Sequence, residues 1–155
     1  MNQEELKART KDFAKRIVAL CRNLPDNREG RLIGNQIFRS GTSVAANYRA
    51  ACRARSQAEF IAKMSIVEEE ADESLFWLEL LTEMEIVKKD LLVPLMQENN
   101  ELIAIVVASI KTCKASQEKG RGKSAIPTPQ WERGKMENDL IANKIISEEE
   151  GWVCQ

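Results

Sequence analysis

Apolar positions recur at intervals of three and four residues along roughly the first 115 positions of the chain, the repeat of an α-helix that buries one face. Leu6, Thr10, Phe13, Ile17, Leu20 and Leu24 make the first such stripe. It predicts a helix from about 3 to 24, with Lys7, Lys11, Lys15 and Arg22 on its other faces. Pro25-Asp26-Asn27 ends it, because proline disfavours the helical conformation at Leu24 and Asp and Asn take turns readily. A second helix is expected over about 29–54, with Leu32, Ile33, Ile37, Phe38, Val44, Ala45, Tyr48 and Cys52 as its apolar positions. Its middle, Ser40-Gly41-Thr42-Ser43, is made of weak helix formers. A bend or local break is expected there, and the small side chains suit a close neighbour.

The third helix has the clearest start. Ser56-Gln57-Ala58-Glu59 reads as a capping box ahead of an apolar run. Phe60, Met64, Val67, Ala71, Leu75, Leu78 and Thr82 form a heptad stripe over about 57–89. A second stripe, Ile66, Trp77, Leu80, Met84 and Val87, lies on the same helix. A helix with two apolar stripes needs a second partner. Either the C-terminal segment covers the second stripe or it is a subunit interface, and the interface is the favoured reading. Lys88-Lys89 places cations at the C-terminal end of this helix. A fourth helix, about 94–115, is broadly apolar through Leu95, Leu102, Ile103, Ile105, Val106, Val107 and Ile110.

Together these stripes predict an all-α, antiparallel up-down four-helix bundle over 1–115, with 116–155 as a C-terminal extension. In that extension Gly120 to Ser124 and Pro127-Thr128-Pro129 read as a polar linker. Met136, Leu140, Ile141, Ile145 and Ile146 suggest a short amphipathic helix at about 135–149. This tail is a candidate dock for the bundle or for a protein partner. Its Gly-Lys-Ser is not a phosphate loop, because no strand precedes it and the glycine spacing is wrong.

Composition narrows the chemistry. The chain has no histidine. That excludes Ser-His and Cys-His nucleophilic pairs and the Glu-x-x-His motif of di-iron bundles. The expectation is a non-enzyme with no cofactor and no metal. Cys21, Cys52, Cys113 and Cys154 form no C-x-x-C pair and read as reduced thiols. No N-terminal apolar leader and no apolar run of about 20 residues is seen, so a cytoplasmic protein without a membrane span is expected.

Charge divides the chain. Net charge is −1 overall, but residues 1–60 carry +6 and residues 61–115 carry −6. Such halves can attract each other, within one bundle or across subunits, or offer one surface to a polyanion. The run Glu68-Glu69-Glu70-Ala71-Asp72-Glu73 pairs carboxylates one turn apart, as a hard cation would need. Without matching ligands on another helix it reads as a solvated face. Arg39, Arg49, Arg53 and Arg55 make the best nucleic-acid patch, since arginine suits phosphate. The alternative is that Arg39 or Arg49 pairs with Glu69, Glu73 or Glu79 on the neighbouring helix, and salt bridges are slightly favoured.

The segments from Gln36 to Tyr48 and from Arg53 to Phe60 carry a pattern. Gln36 and Arg39 form a Gln-x-x-Arg, Ser43 and Asn47 a Ser-x-x-x-Asn, and Arg55, Ser56, Glu59 and Phe60 an Arg-Ser-x-x-Glu-Phe. Over about residues 5–115 the chain resembles the "four helix bundle protein" family, which includes proteins encoded by intervening sequences of bacterial large-subunit ribosomal RNA genes. Related to it is the accessory variability determinant of diversity-generating retroelements, a barrel-shaped homopentamer that binds nucleic acid and a reverse transcriptase. The resemblance implies a cytoplasmic bacterial bundle that assembles as a homo-oligomer, a pentamer by analogy, with RNA or DNA as a candidate partner. Pentamer assembly carries over more readily than nucleic-acid binding, because those relatives are strongly basic and this chain is not.

Overall fold

The structure, a computed structural model, describes residues 2–121, with side chains through 116. It holds four helices: α1 (Gln3–Arg22), α2 (Arg28–Ala51), α3 (Gln57–Glu83) and α4 (Lys89–Arg121). Among the described residues there is no strand, so the all-α expectation holds. Gly120 and Arg121, expected to open a linker, are instead the last residues of α4; the rest of the expected linker, the amphipathic 135–149 segment and Cys154 lie outside the described residues.

Each of the first three helices starts where a short polar side chain can take an otherwise unpaired backbone N–H. Asn2 and Glu5 form a full capping box on α1. Asn27 Oδ1 accepts from Gly30 N–H at 2.7 Å to start α2. Ser56 Oγ accepts from Glu59 N–H at 3.1 Å to start α3. The return bond of that third cap goes one residue further back than a capping box requires, from Arg55 N–H to Glu59 Oε2 at 2.9 Å.

The ends depart from the sequence reading in two instructive places. First, α3 stops at Glu83, not near 89. Glu85 adopts a positive φ of 56°. Ile86 N–H then bonds to Leu81 O at 3.0 Å and Glu85 N–H to Thr82 O at 3.1 Å. This is a Schellman stop with glutamate at the usual glycine position. Ile86 packs on the core and supplies the apolar contact that such a stop uses. Second, α4 begins at Lys89 and continues past 115 to Arg121, because Gln, Glu and Lys after Ser116 favour helix. Pro94 is accommodated inside it; both Pro94 and Asp90 are exposed, so water can serve the carbonyl that proline leaves without a donor.

The expected break in α2 is absent: the helix runs unbroken through Ser40-Gly41-Thr42-Ser43. The hydroxyls turn back onto the helix, Thr42 Oγ1 to Phe38 O at 2.7 Å and Ser40 Oγ to Ile37 O at 3.5 Å. The close approach expected from the small residues is present. A Cβ on Gly41 would lie 2.7 Å from Ile17 Cγ1, so glycine is what lets α1 pack this tightly.

The helices pack as a bundle in which each neighbours the next and α1 touches α4. Gln3 Nε2 reaches Cys52 O at 3.5 Å and Cys21 Sγ reaches Gly34 O at 3.5 Å, so α1 and α2 run in opposite directions. Gln57 Nε2 to Cys113 O at 2.6 Å and Asn99 Nδ2 to Ala71 O at 2.7 Å show that α3 and α4 likewise run in opposite directions. Arg9 joins Glu98 at 2.6 Å, and also Glu101, to close α1 onto α4.

The core runs through Phe13, Ile17, Ile37, Val44, Met64, Val67, Leu78, Leu81, Leu102 and Val106. Burying each such side chain stabilises the fold by about 1.5–3 kcal/mol. Ser40, Ser74 and Asn99 are polar members of this core. The Ser40 and Ser74 hydroxyls bond across α2 and α3 at 2.9 Å. By length and composition alone, Lys89–Ser116 is the one helical stretch among the described residues apolar enough to cross a membrane. In this fold it gives Leu92, Leu95, Leu102, Val106 and Ile110 to the core.

Candidate nucleic-acid interface

The fold separates Arg39, Arg49, Arg53 and Arg55 into three situations. Arg39 leans toward α3. Its guanidinium donates to both oxygens of Glu73 at 2.7 Å and lies 3.5 Å from Glu70. This bidentate pair, chiefly the Glu73 hydrogen bond, pushes the Arg39 guanidinium further above its ordinary range. Arg55 sits at the α2–α3 turn, with Nε 3.6 Å from Glu59. The Arg55 backbone N–H is the main cause of the depressed Glu59 carboxyl. Arg49 and Arg53 are exposed and have no ion pair among the described residues. Of the four, the fold therefore leaves only Arg49, in the last turn of α2, and Arg53, in the turn just beyond its end, as free cations. For Arg39 the salt-bridge alternative holds, with Glu73 as the partner.

Glu73 and Glu70 differ although they are one turn apart. Glu73 accepts from Trp77 Nε1–H at 3.1 Å and from Arg39. The Trp77 bond first, then the Arg39 bond, holds its carboxyl below the ordinary value. Glu70 Oε2 is buried with no hydrogen-bond partner, and burial raises its carboxyl despite the nearby Arg39. Among the described residues no group of three Asp, Glu, His or Cys side chains is arranged around a shared point that could hold a metal. The three described thiols are free. Burial raises all of them, Cys113 to about 11, so each is kept as the poorly nucleophilic thiol.

The second stripe of α3 divides as well. Trp77, Leu80 and Val87 pack against the bundle's own core, and Ile66 is half-buried. Met84 is 50 % exposed. Met84 is the C-cap of α3, and Val87 lies past the Schellman stop. The residue the stripe omitted is Phe76, 53 % exposed, whose ring meets Trp77 edge-on at 4.9 Å between centroids.

Two positions expected on the apolar face of α2 are exposed instead: Leu32 at 57 % and Phe38 at 47 %. The core stripe of α2 is Ile33, Ile37, Val44 and Tyr48. Leu32 and Phe38 are each one residue off it, about 100° around the helix. The signal was available in the sequence, since Ile37 and Phe38 are adjacent and cannot both point inward.

Comparison with known proteins agrees with this architecture. The family model described as 23S rRNA-intervening sequence protein matches residues 3–108. A solved structure of a protein with unknown function from the S23 ribosomal protein family of Bacteroides thetaiotaomicron is 35 % identical. The alignment covers 72 % of this chain and 99 % of that chain, with a TM-score of 0.67. No curated protein matches the chain.

Proposed function

The chain belongs to the 23S rRNA-intervening sequence protein family, and on that premise we propose that it is a non-enzymatic accessory protein that associates with RNA and with copies of itself. One observation carries the RNA reading. From Gly30 to Ala58 the chain contains no carboxylate, and within that stretch Arg49 and Arg53 are exposed cations without an ion pair among the described residues. A free arginine pair at the C-terminal end of α2 can meet neighbouring phosphates. The absence of histidine rules out a Ser-His or Cys-His pair, and burial keeps the described thiols protonated, which favours binding over catalysis.

The test is titration of the full chain into fluorescein-labelled RNA at about 50 mM and about 200 mM salt. Binding that weakens with salt is the expected result. No binding at the lower salt would overturn the RNA reading.

A second reading is favoured by a different observation. Phe76 and Met84 expose apolar surface beside half-buried Trp77 and Leu80 on the outer side of α3. Exposed aromatic and methionine surface of this kind suits a protein interface. Under this reading the chain is a structural or protein-binding oligomer, and Ile66, Trp77, Leu80, Met84 and Val87 lie at or beside the contact. Light scattering on the full chain is expected to show an assembly, of five subunits by analogy with the retroelement relatives. A clean monomer at tens of micromolar would exclude self-association.

A further inference from the structure

We infer that the surface between the outer sides of α1 and α2 is a platform for single-stranded RNA, on which an unpaired base stacks against Phe38. The inference rests on the RNA reading and makes it specific as to substrate and residues. Phe38 is an aromatic ring with no place in the core, 47 % exposed at the middle of α2. Arg31 precedes it by seven residues and Arg49 follows it by eleven. At 3.6 residues per turn, all three share one stripe of the helix.

That stripe lies on the α1 side of α2. Gly41, which meets Ile17, and Gly34, which meets Cys21, mark the edge of α2 that faces α1. Phe38 sits about 60° or less outward from that edge, whereas Arg39 lies on the other flank, against Glu73 of α3. From α1, the exposed Lys11 and Arg22 occupy the matching outer side, and neither has an ion pair among the described residues. Of the cations on the stripe only Arg31 is paired, with Asp26 at 2.5 Å.

A ring flanked by cations along a helix that carries no carboxylate beyond Glu29 in its first turn is the arrangement that holds single strands, in which backbone phosphates meet arginine and lysine and exposed base faces stack on an aromatic. From Arg31 to Arg49 the stripe is about 27 Å long at 1.5 Å per residue, enough for several nucleotides. Paired bases in a duplex offer no such face, so the platform discriminates by strandedness and not by sequence.

The test compares the full chain with Phe38→Ala, and with Phe38→Trp as the conservative variant. The probes are fluorescein-labelled oligouridine and an RNA duplex of equal length. Phe38→Ala is expected to weaken oligouridine binding about tenfold, with the salt slope unchanged, and Phe38→Trp is expected to restore it. Duplex binding is expected to be weak and insensitive to both. Because Phe38 lies outside the core, circular dichroism and light scattering should be the same for all three proteins. If the unmodified chain binds neither probe, the RNA reading itself fails. If it binds oligouridine and Phe38→Ala binds equally well, the platform is wrong while the RNA reading stands. If Phe38→Ala instead changes the size of the assembly, Phe38 is a subunit contact and the inference is overturned.

Discussion

Along α2, beyond its first turn, every charged side chain is an arginine; along α3 eight carboxylates accompany a single lysine, Lys63. Inward, the two helices are alike. Ile33, Ile37 and Val44 on one and Val67, Leu78 and Leu81 on the other fill the same core, and Ser40 meets Ser74 between them. Outward, α2 exposes Phe38 among cations, while α3 exposes Phe76 and Met84 among carboxylates. They meet at Arg39, Glu70, Glu73 and Trp77, where the surplus of each sign is partly cancelled. The shared interior needs only size and periodicity, so it constrains the outward positions little. The outward faces differ in charge, and the proposed function divides along that difference: a polyanion for α2, an apolar protein contact for α3.

The most severe way to break the comparison is to separate the two faces from their common frame. Gly41→Val puts a branched side chain where a Cβ already falls 2.7 Å from Ile17 Cγ1, and Ile17 is fully buried and cannot yield. Overpacking should cost about 1–3 kcal/mol. The urea midpoint should fall with an unchanged slope. A variant as stable as the parent would show that α1 does not need the close approach.

Next in size is the α3 face by itself. Phe76→Lys together with Met84→Lys should weaken self-association by about 2 kcal/mol, or about thirtyfold, if these side chains are central to the contact. Thermal stability of the subunit should move little, because both residues are about half exposed. Light scattering against concentration reads the first effect, and RNA titration should remain at the parent affinity. An RNA defect in this variant would mean that the two faces act as one surface.

The α2 face is sharpened by Arg49→Gln and Arg53→Gln. Each should lower RNA affinity several-fold, by about 1 kcal/mol, and reduce the magnitude of the salt slope by about 0.7–0.9. Arg39→Gln should do less, since Glu73 already holds that guanidinium. Equal losses at all three positions would show that RNA displaces Glu73 from Arg39.

Much of this is legible in the sequence. The heptad stripes gave the core residues Phe13, Ile17, Met64, Val67, Ala71 and Leu78 because burial follows the 3.6-residue repeat directly. The end of α3 was not legible, because its stop uses Glu85 in a left-handed conformation that sequence assigns to glycine. The continuity of α2 was missed because propensity is a weak term once a glycine is clamped against Ile17 and hydroxyls return to the helix. At the site, composition identified the arginines, but pairing depends on which flank of α2 faces α3. Only the register fixed by Ser40 and Ser74 shows that Arg39 is neutralised and Arg49 is not. Hydrophobicity alone places Phe38 in the core, one residue away from the stripe that fills it.

The smallest effect separates the two carboxylates at the junction of the faces. Glu73 has its folded value below the ordinary 4.5, so the stability it contributes is present above that value and is lost as pH falls through the lower, folded one. Glu70 has its folded value above 4.5, so it favours the folded state below the ordinary value, and that contribution is lost as pH rises through the folded one. Relative to the parent at pH 7, Glu73→Gln should therefore lower the melting temperature slightly and Glu70→Gln should raise it slightly. Both differences should shrink toward zero as the pH is lowered past each group's folded value, the Glu70 difference first. Melting curves from about pH 3 to pH 7 check this. Differences of the same sign at pH 7 would mean that Arg39 serves the two carboxylates equally and that burial of Glu70 Oε2 costs nothing.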